Sequence, residues 1–295
     1  MSYSLSRATT WNLAGYIYLI LASLISTPIL LRSLGLAQFS QYTLIVATLT
    51  LLSAFDLGLP QAVVRALVRT SGSNDRQHLW ATSSILFVIT GSLSAVAAFI
   101  ILATLNIPVI ILLLAVVLSL LNSLVSHYST LPQSTGHFGY YNSKTFLVGT
   151  GNTLLAAYLS QIGQGVPTIL TAVGYCYLFT LFVLAYFSLK YFPRPWTYRP
   201  SYSLAHSLVS FGLRNQVGKI AGQIQAQYAK YLLSTISALA LSAYSIATGL
   251  TQKAAGAVTQ LATALYPQVS SRPVRALYYR LQLSLLALAL LGVVI

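Results

Sequence analysis

The chain has 295 residues, of which 56% are hydrophobic and only 6% charged, and its formal net charge is +14. Soluble domains carry about 25% charged residues, so this composition excludes a soluble globular protein and indicates a polytopic, all-α membrane protein. The Lys and Arg residues are spread between apolar runs and are not clustered with aromatics, which fits a topology signal and argues against a nucleic-acid partner.

The polar start, MSYSLSRATTW, leads into an apolar run without a small-residue cleavage site, so a first transmembrane helix is expected rather than a signal peptide. Two runs of about 20 residues follow, at 12–31 and 42–64, each matching the length a helix needs to cross a bilayer. The segment between them, SLGLAQFSQ, is short, so the two helices are expected side by side and antiparallel. Asp56 lies near the end of the second run, with Arg65 and Arg69 beyond it. Further spans are expected at 80–103, 108–130, 145–162, 167–189, 208–232, 237–264 and 281–295, giving about nine transmembrane helices.

Charge orients these spans. With the N-terminus in the cytoplasm, the cytoplasmic segments hold Arg7, Arg65, Arg69, Arg76, Lys144, Lys190, Arg194, Arg199, Arg272, Arg275 and Arg280, eleven of the sixteen basic residues. The outer turns hold Arg32 and Lys230, so the positive-inside rule predicts an N-terminus in the cytoplasm. The loops are short, which places any function between the helices.

Pro193, Pro195 and Pro200 break helical continuity after the sixth span. The expected division is a six-helix bundle at 1–192, a cytoplasmic Pro/Arg linker at 193–205, and a second bundle at 206–295. A shift of 202 residues lays SLGLAQFSQYTLI over TISALALSAYSIA, so that Ser40 meets Ser242 and Tyr42 meets Tyr244. Six spans, an even number, separate the copies, which predicts a parallel repeat about an axis along the membrane normal. The last run stops after about 15 residues, short of a full crossing. The second bundle is therefore expected to be incomplete, as in a truncated chain.

Polar side chains within a bilayer are costly unless they face protein or water. In span seven, Gln216, Lys219, Gln223, Gln227 and Lys230 share one face. Gln252 and Lys253 lie on or beside a similar stripe in span eight; Asn12 marks one in span one and Asn122 one in span four. Facing one another, such helices would line a polar, cationic cavity, while for spans one and four close helix packing explains the stripes equally well. Lys230, near a helix end, is expected to snorkel. Asp56 is expected to form a structural cap or an ion pair with Arg65 or Arg7, with ion coupling as the alternative. Cys176 is the only cysteine and His78, His127, His137 and His206 have no metal-ligand spacing, so neither a metal nor a cofactor is expected. His127 is expected to be packed.

Asn12, the segment Pro28-Ile-Leu-Leu-Arg32-Ser-Leu-Gly35, Phe39 and Tyr42 together resemble the first hairpin of the Wzx-like oligosaccharide flippases. These belong to the multidrug/oligosaccharidyl-lipid/polysaccharide exporter superfamily. Asp56-Leu-Gly58-Leu-Pro60 with Arg65 resembles the close of their second helix, and Ala243-Tyr244-Ser245-Ile246-Ala247 with Leu265-Tyr266-Pro267 resembles their eighth. The resemblance implies two bundles around a central cavity and no enzymatic activity. It further implies movement of an undecaprenyl-diphosphate-linked oligosaccharide across the inner membrane for O-antigen, capsule or exopolysaccharide. Polysaccharide polymerase and chain-length regulator proteins would be partners. Lys219 and Lys253, with Arg214 third, are then the candidates for the diphosphate. Gln216, Gln223, Gln227, Gln252, Asn12 and Asn122 are the candidates for sugar contacts or cavity lining. A lipid II flippase and a multidrug exporter are the nearest alternatives, although a cation-rich, acid-poor interior disfavours the second. A membrane polymerase or ligase fits poorly with short outer turns.

Overall fold

The computed structural model describes residues 5–192, 198–249 and 251–252. Regular structure among the described residues is entirely helical: α1 Leu5–Ser53, α2 Leu59–Arg69, α3 Ser73–Thr104, α4 Val109–Thr135, α5 Phe138–Tyr141, α6 Ser143–Thr150, a π-helical turn Gly151–Leu155, α7 Ala156–Gln161, α8 Val166–Leu189 and α9 Tyr202–Ile236. A shorter apolar helix, α10, spans Ala238–Gly249.

Four of these segments are long and apolar enough to cross a membrane: Thr10–Ser53 within α1, then α3, α4 and α8. Their outward faces carry large apolar side chains such as Leu93, Val96, Ile100, Val109 and Phe182. In water such a surface would be an aggregation hazard; in a bilayer it is the lipid contact. The protein is a multi-pass membrane protein.

At 1.5 Å per residue, α1, of 49 residues, is about two and a half times as long as a hydrocarbon core is thick. It is broken at Gly35, whose φ of 71° and ψ of 170° suit only glycine. No atom of the described residues lies within 4 Å of where a Cβ would stand, so conformation demands glycine there. The chain reverses at this point. Tyr18 on the first arm (5–34) bonds Thr150, and Tyr42 on the second arm (36–53) donates to the Asn152 carbonyl at 2.9 Å, so both arms reach the same level of the fold. The antiparallel hairpin expected from the sequence is present, with a one-residue corner in place of a nine-residue turn.

The second expected span, 42–64, is not one helix. It ends at Ser53, and a corner at 54–58 leads into the separate helix α2. Leu59, Ala62, Val63, Val64 and Leu67 of α2 face inward, which makes it an amphipathic helix laid against α4 and α9. The fifth span is continuous from Ser143 to Gln161 but contains the π turn. Tyr18 and Tyr42 converge on that turn from the two arms of α1. The remaining expected spans within the described residues match α3, α4, α8 and α9; the first part of 237–264 is α10, and residues 253–264 and all of 281–295 lie outside the described residues.

α4 is the central post, packed against α3 and α8 most extensively and also against α1, α2 and α5. One core, including Phe39, Ile45, Ala115, Leu118, Val125 and Ile169, joins α1, α4 and α8. A second, built on Trp80, Phe87, Leu131 and Phe187, joins α2, α3, α4 and α8. His127 is packed here as expected: its ring lies 4.2 Å from that of Trp80, and its Nε2 bonds Ser84 at 2.9 Å. α9 lies along the second arm of α1, touching also α2 and α3.

Candidate polar cleft at the Asp56 corner

The corner at 54–58 explains its own sequence. Asp56 Oδ1 accepts the Gly58 backbone N–H at 2.9 Å, a side-chain turn of the kind Asp favours. Leu57 and Gly58 both adopt positive φ, 55° and 66°, and Pro60 then opens α2, where its missing N–H costs nothing. Gly58 and Gly212 of α9 touch backbone to backbone. A Cβ on Gly58 would stand 2.5 Å from the Gly212 carbonyl oxygen, and one on Gly212 would stand 2.1 Å from that of Leu57.

Through this contact α9 delivers Gln216 to the corner. Its Nε2 donates to the Ala54 carbonyl and, at 3.0 Å, to Asp56 Oδ1. Asp56 thus accepts hydrogen bonds both from its own turn and from α9. The ion pair expected with Arg65 is not formed, because the Arg65 guanidinium sits 4.0 Å from the centre of the Phe211 ring, a cation–π contact.

Asp56 also borders a narrow polar cleft between α1, α3 and α4. Ser53, Thr90, Ser94, Ser119, Asn122 and Ser126 supply its polar walls, and its free volume of about 20 Å³ is room for a single water molecule. Lys144 of α6 donates to Ser126 Oγ at 3.1 Å. The cationic charges that act on Asp56 are those of Lys219 and Lys144. The charges of Lys219 of α9 and Lys144 of α6 reach this carboxylate, and hydroxyls line the cleft beside it. Such a set can bind an anion through the lysines and neutral hydroxylated groups through the Ser, Thr, Asn and Gln side chains.

The expected residues fall in several environments. Gln216 and Gln227 are buried, at 2% and 1% exposure. Their Oε1 atoms have no hydrogen-bond partner among the described residues. Gln223 is half-buried and joins Gln227 at 3.5 Å. Lys219 is exposed at the edge of the same stripe, and Arg214 is exposed. Lys230 is buried, at 8% exposure. Asn122 lines the cleft, and its Oδ1 accepts from Tyr177 at 3.5 Å. Asn12 is away from it, buried in an amide pair in which Asn142 Nδ2 donates to Asn12 Oδ1 at 2.7 Å. Gln252 is exposed, and Lys253 lies outside the described residues.

Lys144 is the residue that sequence reasoning missed. It counted only as a cytoplasmic charge. The usable signal was Ser126, which sits on the polar face of span four and is the side chain Lys144 bonds.

The model of one protein family, described as polysaccharide biosynthesis protein, matches residues 5–272. No curated protein and no solved structure matches the chain.

Proposed function

We propose a function from the premise that the chain belongs to the polysaccharide biosynthesis protein family, the family of the Wzx-like flippases. Members of that family are transporters and not enzymes. The proposed activity is translocation of an undecaprenyl-diphosphate-linked oligosaccharide from the inner to the outer leaflet of the cytoplasmic membrane, for assembly of a surface polysaccharide. A diphosphate and a sugar chain cannot enter hydrocarbon unaided. The observation that carries the reading is the polar, lysine-flanked interior at the Asp56 corner, placed where the first bundle meets α9.

In this account Lys219 contacts the diphosphate, joined by Lys144, with Arg214 and Lys253 as further cationic contacts. Gln216, Gln223, Gln227, Gln252 and Asn122 serve the sugar hydroxyls. Asn12 holds the first arm of α1 to the α5–α6 corner and shapes the cavity from behind. The lobes are the six-helix bundle at 1–192 and the bundle from 206 onward, joined by the Pro/Arg linker at 193–205, with about nine spans and the N-terminus in the cytoplasm. Rocking of one lobe against the other gives alternating access. Polysaccharide polymerase and chain-length regulator proteins receive the product at the outer leaflet.

The test is complementation of a strain whose polysaccharide flippase is deleted. The wild-type protein restores surface polysaccharide. Loss of a charge-assisted contact costs about 1.5–3 kcal/mol, so Lys219→Ala and Lys144→Ala each lower export roughly tenfold or more, with membrane levels unchanged. Full export by the double variant would refute the assignment of these lysines.

A further inference from the structure

We propose that a recess of about 340 Å³ at the outer end of the protein is a binding site for one uncharged sugar unit of the transported oligosaccharide, separate from the cleft at the Asp56 corner. The inference rests on the proposed function for its substrate and on the proposed orientation for which end is outer. The ligand chemistry rests on the residues of the recess itself.

Three pieces of chain meet there: the start of the second arm of α1, the turn between α3 and α4, and the junction of α9 with α10. The turn has a local cause. Asn106 adopts positive φ, 53°, which Asn tolerates better than most residues, and Pro108 is the N-cap of α4. This corner sets Asn106 in the wall of the recess. Between Lys219 and Ser234, another wall residue, α9 rises about 22 Å. The recess is therefore remote from the proposed diphosphate contacts.

Its volume is that of a small-molecule pocket. Thr104, Ser234 and Thr235 in its wall donate their hydroxyl protons to the carbonyls of Ile101, Tyr231 and Leu232 at 2.7, 2.6 and 2.8 Å. Their oxygens are left as acceptors. The side-chain amides of Gln41 and Asn106 have no hydrogen-bond partner among the described residues, and they supply donors as well as acceptors. Leu44, Leu105, Ile107 and Leu241 form an apolar wall beside them. No charged residue lines the recess among the described residues.

This wall selects its ligand. A phosphate or carboxylate is held by cations and by donors, and here cations are missing and acceptors are many. A hydrocarbon tail would leave the amides and hydroxyl oxygens without partners. A sugar ring satisfies both walls, because its hydroxyls donate and accept while its C–H faces lie on apolar side chains. Given its distance from Lys219, the recess meets a sugar unit remote from the diphosphate as the chain emerges at the outer side.

Protection of a thiol tests the site. Ala37 is an exposed wall residue, and Ala37→Cys is made in a Cys176→Ser background. It is expressed in a flippase-deleted strain whose repeat unit is an uncharged tetrasaccharide, and labelled from outside with a membrane-impermeant maleimide. The probe is that tetrasaccharide, released from its lipid by mild acid, with inorganic diphosphate as the comparison. The tetrasaccharide at millimolar concentration is expected to slow labelling severalfold, and diphosphate to leave it unchanged. Adding Gln41→Ala with Asn106→Ala raises the saccharide concentration needed about tenfold, as for two lost hydrogen bonds between neutral groups. The same pair lowers export in cells, with membrane levels unchanged. Labelling that the saccharide does not slow, or that diphosphate slows equally, would overturn the proposal. Reduced export by the Gln41 and Asn106 variant with undiminished protection would also overturn it, and would mark the recess as a contact for an outer protein partner. Failure of the unmodified protein to export, with protection intact, would count against the proposed function and leave the sugar site standing.

Discussion

Asp56 holds two separate pieces of the chain with one carboxylate oxygen: the Gly58 N–H of its own turn and the Gln216 amide of α9. Replacement by Ala leaves both donors without this acceptor in a mostly buried place. The expected cost is about 1–3 kcal/mol, read as a lowered melting temperature of the detergent-solubilised protein. Asp56→Asn keeps an acceptor oxygen and should lie much closer to wild type, and equal losses in the two variants would contradict the capping role. The cap was legible in the sequence, because Asp followed two residues later by Gly and then by Pro is turn chemistry. Its partner Gln216 was not, since the polar face of span seven showed only that the residue had to be turned away from lipid. Lys144 and the Asn12–Asn142 pair were hidden for the same reason: each depends on a residue far away in the chain, and hydropathy carries no information on which polar side chains meet.

Among the elements, α9 depends most on a single close approach. Gly212→Ala places a methyl group against the Leu57 carbonyl, which belongs to backbone and cannot rotate away. Overpacking of this kind costs about 1–3 kcal/mol, and should both lower the melting temperature and weaken export. Gly218→Ala and Gly222→Ala, on the same helix with no atom of the described residues within 4 Å of the new methyl, should do neither. A Gly212→Ala protein as stable as these controls would show that the α9–corner contact is not made in the membrane. The π turn gives a second test. Tyr42→Phe removes the bond to the Asn152 carbonyl at 2.9 Å, with an expected loss of about 0.5–1.5 kcal/mol by the same melting assay. Helix positions were readable from the length of apolar runs. The break between α1 and α2 was not, because the apolar run continues through it and positive φ at Leu57 leaves no trace in hydropathy.

For the whole molecule, the composition alone established a multi-pass membrane protein, and the family match over residues 5–272 places it among the polysaccharide flippases. Its interior carries amides and hydroxyls, with a single carboxylate, Asp56, at the corner between α1 and α2. The N-terminus-in orientation makes a topological prediction. A reporter active only in the cytoplasm should work when fused at the N-terminus, and a thiol placed at Asn106 should react with a membrane-impermeant reagent added outside intact cells. The reverse pattern would contradict the N-terminus-in orientation.

The most direct measurement uses purified protein in liposomes carrying a fluorescent undecaprenyl-diphosphate-linked oligosaccharide on the inner leaflet. The account predicts that the label becomes accessible to an impermeant quencher outside, faster than in protein-free liposomes, and that Lys144→Ala with Lys219→Ala slows this markedly. Translocation no faster than in protein-free liposomes, from protein shown to be folded, would contradict it.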